Sequence, residues 1–117
     1  MAGKFVIIFV TCASRKEALS ITGSLLRKRL IACSSIIKGV ESKFWWKGRV
    51  KSAREALAIM KTRMDNFKAV EREVRTIHSY EVPEIIATPI ACGSDEYMEW
   101  IDSSTKARGR YDIKRKL

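Results

Sequence analysis

Apolar residues recur along this chain with two different periods, and the change of period marks the boundaries of the predicted elements. A continuous apolar run at 5–11 is typical of a strand that is covered on both faces. Ser14 and Glu17 then form a capping-box pattern, which predicts the start of a helix. A second strand is predicted over 31–46, which beyond Gly39 continues with period two through Val40, Ser42, Phe44 and Trp46.

The second half of the chain repeats this succession of strands and helices. A turn is predicted at 47–48, and the third strand then runs to about Thr62. Asp65 is a candidate cap for a second helix, whose apolar stripe consists of Phe67, Val70, Val74 and Ile77. The fourth strand, predicted over 84–92, contains Pro89, which has no amide hydrogen and therefore favours an edge strand.

The order of these elements predicts an α+β fold. Strand, helix, strand, strand, helix, strand is the order of the ferredoxin-like βαββαβ sandwich, one antiparallel sheet with helices on one face. A short C-terminal helix is predicted next, with Tyr97, Trp100 and Ile101 on one side. A chain of 117 residues is long enough for one domain. We place this domain at 1–104 and a basic tail at 105–117.

The hairpin of the second and third strands is too long for a domain of this size. Arms of about 12–14 residues extend over roughly 40–45 Å, whereas a compact domain of this length has a radius of gyration of about 13 Å. Near the tip, Phe44, Trp45 and Trp46 place apolar side chains on both faces of the strand. Such a surface promotes aggregation unless something covers it. We therefore expect a homo-oligomer; the alternative is a hairpin curled over its own core.

Charge narrows the classes of partner. The net charge is +10, and half of it lies in the tail, where six basic residues accompany one acid, Asp112. Such a tail can bind nucleic acid without sequence preference. However, the stretch 53–62 lacks the aromatic residues with which RNA-binding sheets stack bases. No run of about 18 apolar residues predicts a membrane span. The absence of Gln and a single Asn favour a heat-adapted source.

Three cysteines, Cys12, Cys33 and Cys92, are far apart in the sequence and form no Cys-x-x-Cys pair. An odd number argues for reduced thiols and hence for a cytoplasmic location. The start of the chain resembles a signal peptide only faintly, because one lysine precedes the apolar run. We interpret that run as the first strand.

Several segments together resemble the CutA-type divalent-cation tolerance proteins. The motifs that carry the resemblance are Leu30-Ile31-Ala32-Cys33, Phe44-Trp45-Trp46-Lys47-Gly48, Lys61-Thr62 and Tyr80-Glu81-Val82-Pro83-Glu84-Ile85. The resemblance implies a cytoplasmic homotrimer, related in architecture to the PII signalling proteins, whose long hairpins reach the neighbouring subunits. It also implies tolerance of copper and other divalent cations, with Cu(II) bound by some members.

The chain departs from the family's motifs at two places near the predicted metal chemistry. His78-Ser79-Tyr80 stands where the family usually has His-Pro-Tyr. The junction after the first strand, Thr11-Cys12-Ala13-Ser14-Arg15, lacks the proline and the acid that relatives often have there. Val10 stands in the first strand where some copper-binding relatives have a cysteine.

Ligand chemistry nevertheless indicates a candidate metal site. Copper(II) favours imidazole nitrogen and copper(I) favours thiolate, so the candidate ligands are Cys33, His78 and Cys12. Cu²⁺ or another divalent cation is the expected ligand. His78 as a partner of the helix C-terminus is the alternative role for that residue.

The remaining polar and aromatic residues of these motifs suggest a cleft or a subunit interface. The candidates are Trp46, Lys61, Tyr80, Glu81 and Glu84. The two glutamates could form ion pairs with Lys61 or between subunits. By analogy with PII proteins, a small-molecule or protein signalling partner in such clefts is an alternative function.

Enzymatic interpretations have little support in the sequence. We find neither a catalytic triad pattern nor a glycine-rich phosphate loop. A small basic hydrolase of acyl phosphates would need a glycine-rich cradle after the first strand, and this chain has only Arg15 there. We expect no catalytic activity.

Overall fold

The computed structural model describes residues 4–105, which form four strands and three α-helices. The basic tail lies outside the described residues, apart from Thr105. In chain order the elements are β1 Phe5–Cys12, α1 Arg15–Arg27, β2 Cys33–Trp46, β3 Arg49–Arg63, a 3₁₀ turn Met64–Asn66, α2 Phe67–Ile77, β4 Ile85–Pro89 and α3 Asp95–Ser104.

The strands form one antiparallel sheet in the order β2-β3-β1-β4. This order, with α1 and α2 as crossovers, is that of a ferredoxin-like fold, so the predicted fold class is confirmed. Pro89 lies in β4, an edge strand, as its missing amide hydrogen requires.

The core lies between one face of the sheet and the helices α1 and α2. Alternate residues of β1 point into it and are fully buried, and their register partners on β3 are buried beside them. The main members of this core are Val6, Ile8, Val10, Cys12, Ala58, Met60, Ile21, Leu25, Val70 and Val74.

The opposite face of the sheet is also apolar, but it is only partly covered. Ile7, Phe9 and Ile59 are half-buried there, while Ile37 and Ile86 are 50% and 55% exposed. We call these five residues the open face. The helix α3 covers only one end of this side, where Tyr97 Oη lies 3.7 Å from Cys33 Sγ and Arg63 pairs with Asp102.

The hairpin of β2 and β3 projects from the domain. The longest dimension of the described chain is 47 Å, against 27 and 26 Å for the other two. A bulge between Ile37 and Val40 includes Gly39 at a φ of 72°, and the tip turns through Lys47 and Gly48, both at positive φ. At the tip, Trp45 is 74% exposed. The prediction of a long hairpin with an apolar tip is confirmed.

Three local predictions differ from the structure. Strand β4 spans only Ile85–Pro89 rather than 84–92, because its partner β1 begins at Phe5 and offers no pairing beyond the bond from Ile90 N–H to Phe5. Strand β2 begins at Cys33 rather than at 31. Asp65 does not cap α2, because Arg63 holds its carboxylate in an ion pair.

Candidate metal centre

Three side chains with metal-binding atoms meet where β1 ends. Cys12 is the last residue of β1, Glu17 is in the first turn of α1, and His78 follows the last turn of α2. One ligand atom from each lies within 4.8 Å of the others. The cluster therefore depends on the crossover geometry of the fold, which brings two helix ends to one strand end.

The hydrogen bonds of His78 define its tautomer. Its side chain is nearly buried, at 9% exposure. The backbone N–H of Tyr80 donates to Nδ1 over 3.0 Å, so Nδ1 carries no proton. The ring therefore donates from Nε2 to the carbonyl of Thr11, 2.8 Å away. An ion that binds His78 must displace one of these two hydrogen bonds.

Glu17 joins the start of α1 to the connector between α2 and β4. Ser14 caps the helix by accepting from Glu17 N–H, but the Glu17 carboxylate reaches one residue further back than in a standard capping box and accepts from Ala13 N–H. Its other oxygen accepts from Ser79 N–H over 2.7 Å. Burial raises the pKa of this carboxyl, but the hydrogen bonds from Ala13 and Ser79 outweigh that effect, so the pKa lies below its usual range.

Cys12 is fully buried as a thiol. Burial, with the nearby carboxylates of Glu17 and Glu55, raises the pKa of the thiol to about 12. This thiol is therefore not an activated nucleophile. It becomes a good metal ligand only if the ion displaces its proton.

Tyr80 links this cluster to a buried carboxylate on β3. Its phenol donates to Glu55 over 2.6 Å, and its ring stacks at an angle on His78 with the centroids 4.8 Å apart. Glu55 is only 6% exposed. Burial and the hydrogen bond to Glu55 raise the pKa of the Tyr80 phenol, which therefore stays protonated and keeps donating.

The donor set fits a borderline divalent cation. A thiolate, an imidazole and a carboxylate are the ligands of zinc sites and of mixed copper sites. Tetrahedral coordination at about 2.0–2.3 Å places ligand atoms about 3.3–3.8 Å apart. The most widely separated atoms of the cluster must therefore approach each other by about 1 Å.

Of the three predicted ligands, the structure brings together Cys12 and His78 but not Cys33. Cys33 starts β2 on the far side of β3, opposite Lys61, where its half-buried thiol contacts α3. Val10, which we aligned from the sequence with a first-strand cysteine of some copper-binding relatives, is fully buried in the core.

The predicted cleft residues are spread over three regions. Trp46 lies beside the hairpin turn, with the Lys47 ammonium 5.9 Å from its ring centroid. Lys61 is half-buried on the same side of the sheet as the open face, whereas Glu81 and Glu84 are exposed in the connector. Within residues 4–105, no ion pair joins Lys61 to either glutamate.

Two acidic residues, Glu17 in the cluster and Glu55 linked to it by Tyr80, were not among the predicted site residues. Glu17 was interpreted only as a capping residue, although an acid in the first helical turn after a strand end lies close to that end. Glu55 precedes the apolar stretch 56–60 in a predicted buried strand. An acid in that setting requires a buried hydrogen-bond partner, and this is the signal that could have identified it.

No helix within residues 4–105 is long and apolar enough to cross a membrane.

Comparison with known proteins gives a consistent result. The profile of the family described as "CutA1 divalent ion tolerance protein" matches residues 6–104. A divalent-cation tolerance protein CutA from Archaeoglobus fulgidus is 41% identical over 99 residues, which cover 85% of this chain and 96% of the relative. The chloroplastic protein CutA 1 of rice is 38% identical over 86% of this chain. This chain spans little more than half, 57%, of the rice protein's length.

Solved structures agree with the sequence comparison. A structure described as the periplasmic divalent cation tolerance protein CutA from A. fulgidus superposes with a TM-score of 0.85 at 40% identity, covering 87% of this chain and 99% of that one. Rice CutA1 superposes with a TM-score of 0.86 at 36% identity, covering 90% and 96%. The chain belongs to the CutA1 divalent ion tolerance protein family.

Proposed function

We propose that this protein binds a divalent cation through Cys12, Glu17 and His78, and that this binding underlies a role in metal tolerance. The observation that carries the proposal is the convergence of a thiol, a carboxylate and an imidazole within 4.8 Å at one strand end. The names of the family and of the A. fulgidus relative both refer to tolerance of divalent cations, which supports the proposed metal binding.

The ligand set favours copper or zinc over magnesium or calcium. The hard cations prefer all-oxygen sites, whereas sulfur and imidazole nitrogen select softer ions. Copper is the ion that we expected from the sequence. Cys33, the third predicted ligand, can join such a site only through another subunit, since its own chain holds it on the far side of β3.

Calorimetric titration of reduced, metal-free protein with Zn²⁺ and Cu²⁺ tests the proposal. We expect saturable binding of one ion per chain, strongly weakened in Cys12→Ser and in His78→Ala. Cys33→Ser is the matched control, because it removes a thiol outside the cluster. Binding that persists in both cluster variants would contradict the proposed site.

We further propose that the protein acts as a homotrimer. Apolar side chains cover the open face, and Phe44, on the same side of β2, extends this exposed apolar surface towards the hairpin tip. Surfaces of this kind on a small protein mark interfaces. Light scattering should give a mass three times the 13.3 kDa of the chain. Ile59→Glu, which places a charge in the centre of the open face, should reduce that mass; a monomeric wild type would contradict the proposal.

In a trimer of this kind, the half-buried Lys61 would lie at an intersubunit cleft. There it could form ion pairs with Glu81 or Glu84 of a neighbour, as proposed from the sequence. Charge-reversal of Lys61 should then weaken assembly, and paired reversal of Lys61 and Glu84 should restore it.

We propose a cytoplasmic, non-catalytic role. Cys12, Cys33 and Cys92 are all free thiols, and Cys92 is exposed, which suits a reducing compartment. The raised pKa of Cys12 removes the one cluster thiol from nucleophilic chemistry. Rapid disulfide formation or acyl phosphate hydrolysis by the purified protein would argue against this role.

A further inference from the structure

The connector 78–84, between α2 and β4, is held by the candidate metal ligands themselves. Two successive backbone N–H groups, those of Ser79 and Tyr80, donate to Glu17 and to His78. These bonds occupy one lone pair of the Glu17 carboxylate and the only lone pair of the His78 ring, at Nδ1, because Nε2 carries the ring's proton. An ion that binds His78 at Nδ1 therefore takes the acceptor of the Tyr80 amide, and at the Glu17 oxygen bonded to Ser79 it competes with the Ser79 amide.

The connector is also tied to the base of the hairpin. The Tyr80 phenol donates to Glu55 over 2.6 Å, and Glu55 is nearly buried. In the sheet register Glu55 faces Val40, the first paired residue beyond the bulge. A bulge is where a strand changes direction, so Glu55 sits where the hairpin leaves the domain.

The geometry points to a relay in which Tyr80 couples ion occupancy to the base of the β2–β3 hairpin. An ion that takes lone pairs from Glu17 and His78 releases the Ser79 and Tyr80 amides. The backbone that carries Tyr80 then moves, and the short hydrogen bond transmits this movement to Glu55. The inference rests on the proposed metal site and adds a route by which that site influences the hairpin.

Tyr80 is in this account a positioning residue, since it acts through His78 and Glu55 and contributes no ligand atom. Its ring lies tilted against the His78 ring, with the centroids 4.8 Å apart. Tyr80→Phe removes the phenolic hydrogen bond and preserves the ring contact. It therefore separates the relay from the packing.

Hydrogen–deuterium exchange with and without Zn²⁺ tests the relay on the full chain. In the wild type, Zn²⁺ should speed exchange in peptides covering Ser79 and Tyr80, whose amides lose their acceptors. It should also change exchange in peptides covering Val40 and Glu55. In Tyr80→Phe the first response should remain and the second should be lost.

Two controls keep the outcome interpretable. Tyr97→Phe removes a phenol on α3 that contacts Cys33, outside the cluster. This variant should retain both the connector response and the hairpin response. Glu55→Leu, which removes the acceptor of the phenolic hydrogen bond, should lose the hairpin response as Tyr80→Phe does.

Calorimetry on the same samples distinguishes the two ways of failing. If the wild type does not bind Zn²⁺, the metal site and the relay are both wrong. If Zn²⁺ binds but the hairpin response is absent, or is the same in Tyr80→Phe, the relay alone is wrong and the metal site stands.

Discussion

Proton release on metal binding gives the sharpest test of the site, because the structure predicts how many protons each bound ion releases. The Cys12 thiol has a pKa of about 12 and is fully buried. At neutral pH its ionisation costs about 7 kcal/mol, which corresponds to a loss of about 10⁵ in affinity relative to a thiolate. Nδ1 of His78 already accepts a hydrogen bond from Tyr80 N–H and so has no proton to release, and the lowered pKa of Glu17 keeps that carboxyl ionised. One ion should therefore release one proton, from Cys12.

Two consequences of this proton release are measurable. The affinity for Zn²⁺ should rise about tenfold for each pH unit above about 7. Titration calorimetry at one pH, in buffers of different ionisation enthalpy, should count one proton per ion. In Cys12→Ser both the proton release and most of the affinity should disappear, whereas Cys33→Ser should behave like the wild type.

The result that would refute this reasoning is ion binding without proton release. If the affinity is independent of pH and Cys12→Ser binds as tightly as the wild type, the thiol is not a ligand. The cluster would then be a hydrogen-bonded junction between helix ends.

Three further predictions concern stability and the connector. Folding raises the pKa of Cys12 from 9.0 to about 12, so between these values the folded state keeps a proton that the unfolded state loses. Raising the pH from about 9 to 12 should therefore lower the free energy of unfolding by about 4 kcal/mol. Urea titrations of Cys12→Ala over the same pH range should show a smaller loss. Ser79→Pro should fold, since the preceding residue already has the extended backbone that proline favours. The substitution removes the N–H group that donates to Glu17 and should therefore tighten Zn²⁺ binding. Weaker binding would contradict the proposed competition between the ion and the connector. Arg63→Met should lower the free energy of unfolding by about 1–3 kcal/mol, because it leaves the half-buried Asp102 without this ion-pair partner. A change below about 0.5 kcal/mol in thermal or urea unfolding would show that this ion pair contributes little.

The fold was largely predictable because its signals are local. The period of apolar residues identified every helix and strand, and Pro89 identified an edge strand by its missing amide. The errors lie at ends, where tertiary partners decide. Strand β4 stops when β1 offers no further pairing, and Asp65 binds Arg63 instead of capping α2.

The candidate site was predictable only in part because its geometry is not local. Cys12 and His78 meet because α2 returns to the end of β1, whereas Cys33 lies across β3, a separation that depends on strand register. Residue type identified the thiols and the imidazole as ligands. It could not show that Glu17 has a second role besides starting its helix.

The bulge at 38–39 has a consequence for how this protein tolerates insertions and deletions. Up to Ile37 the odd-numbered residues of β2 share a side with the open face, and from Val40 onward the even-numbered ones do. Because β2 has one residue more than β3 in the bulge, loss of Gly39 alone would leave Val40 opposite Glu55 and keep Phe44, Trp45 and Trp46 on their present sides. A deletion further along β2, at Glu41, has no surplus residue to absorb it and would turn these three side chains to the opposite side. The length of β2 is therefore constrained less at the bulge than in the paired stretch beyond it.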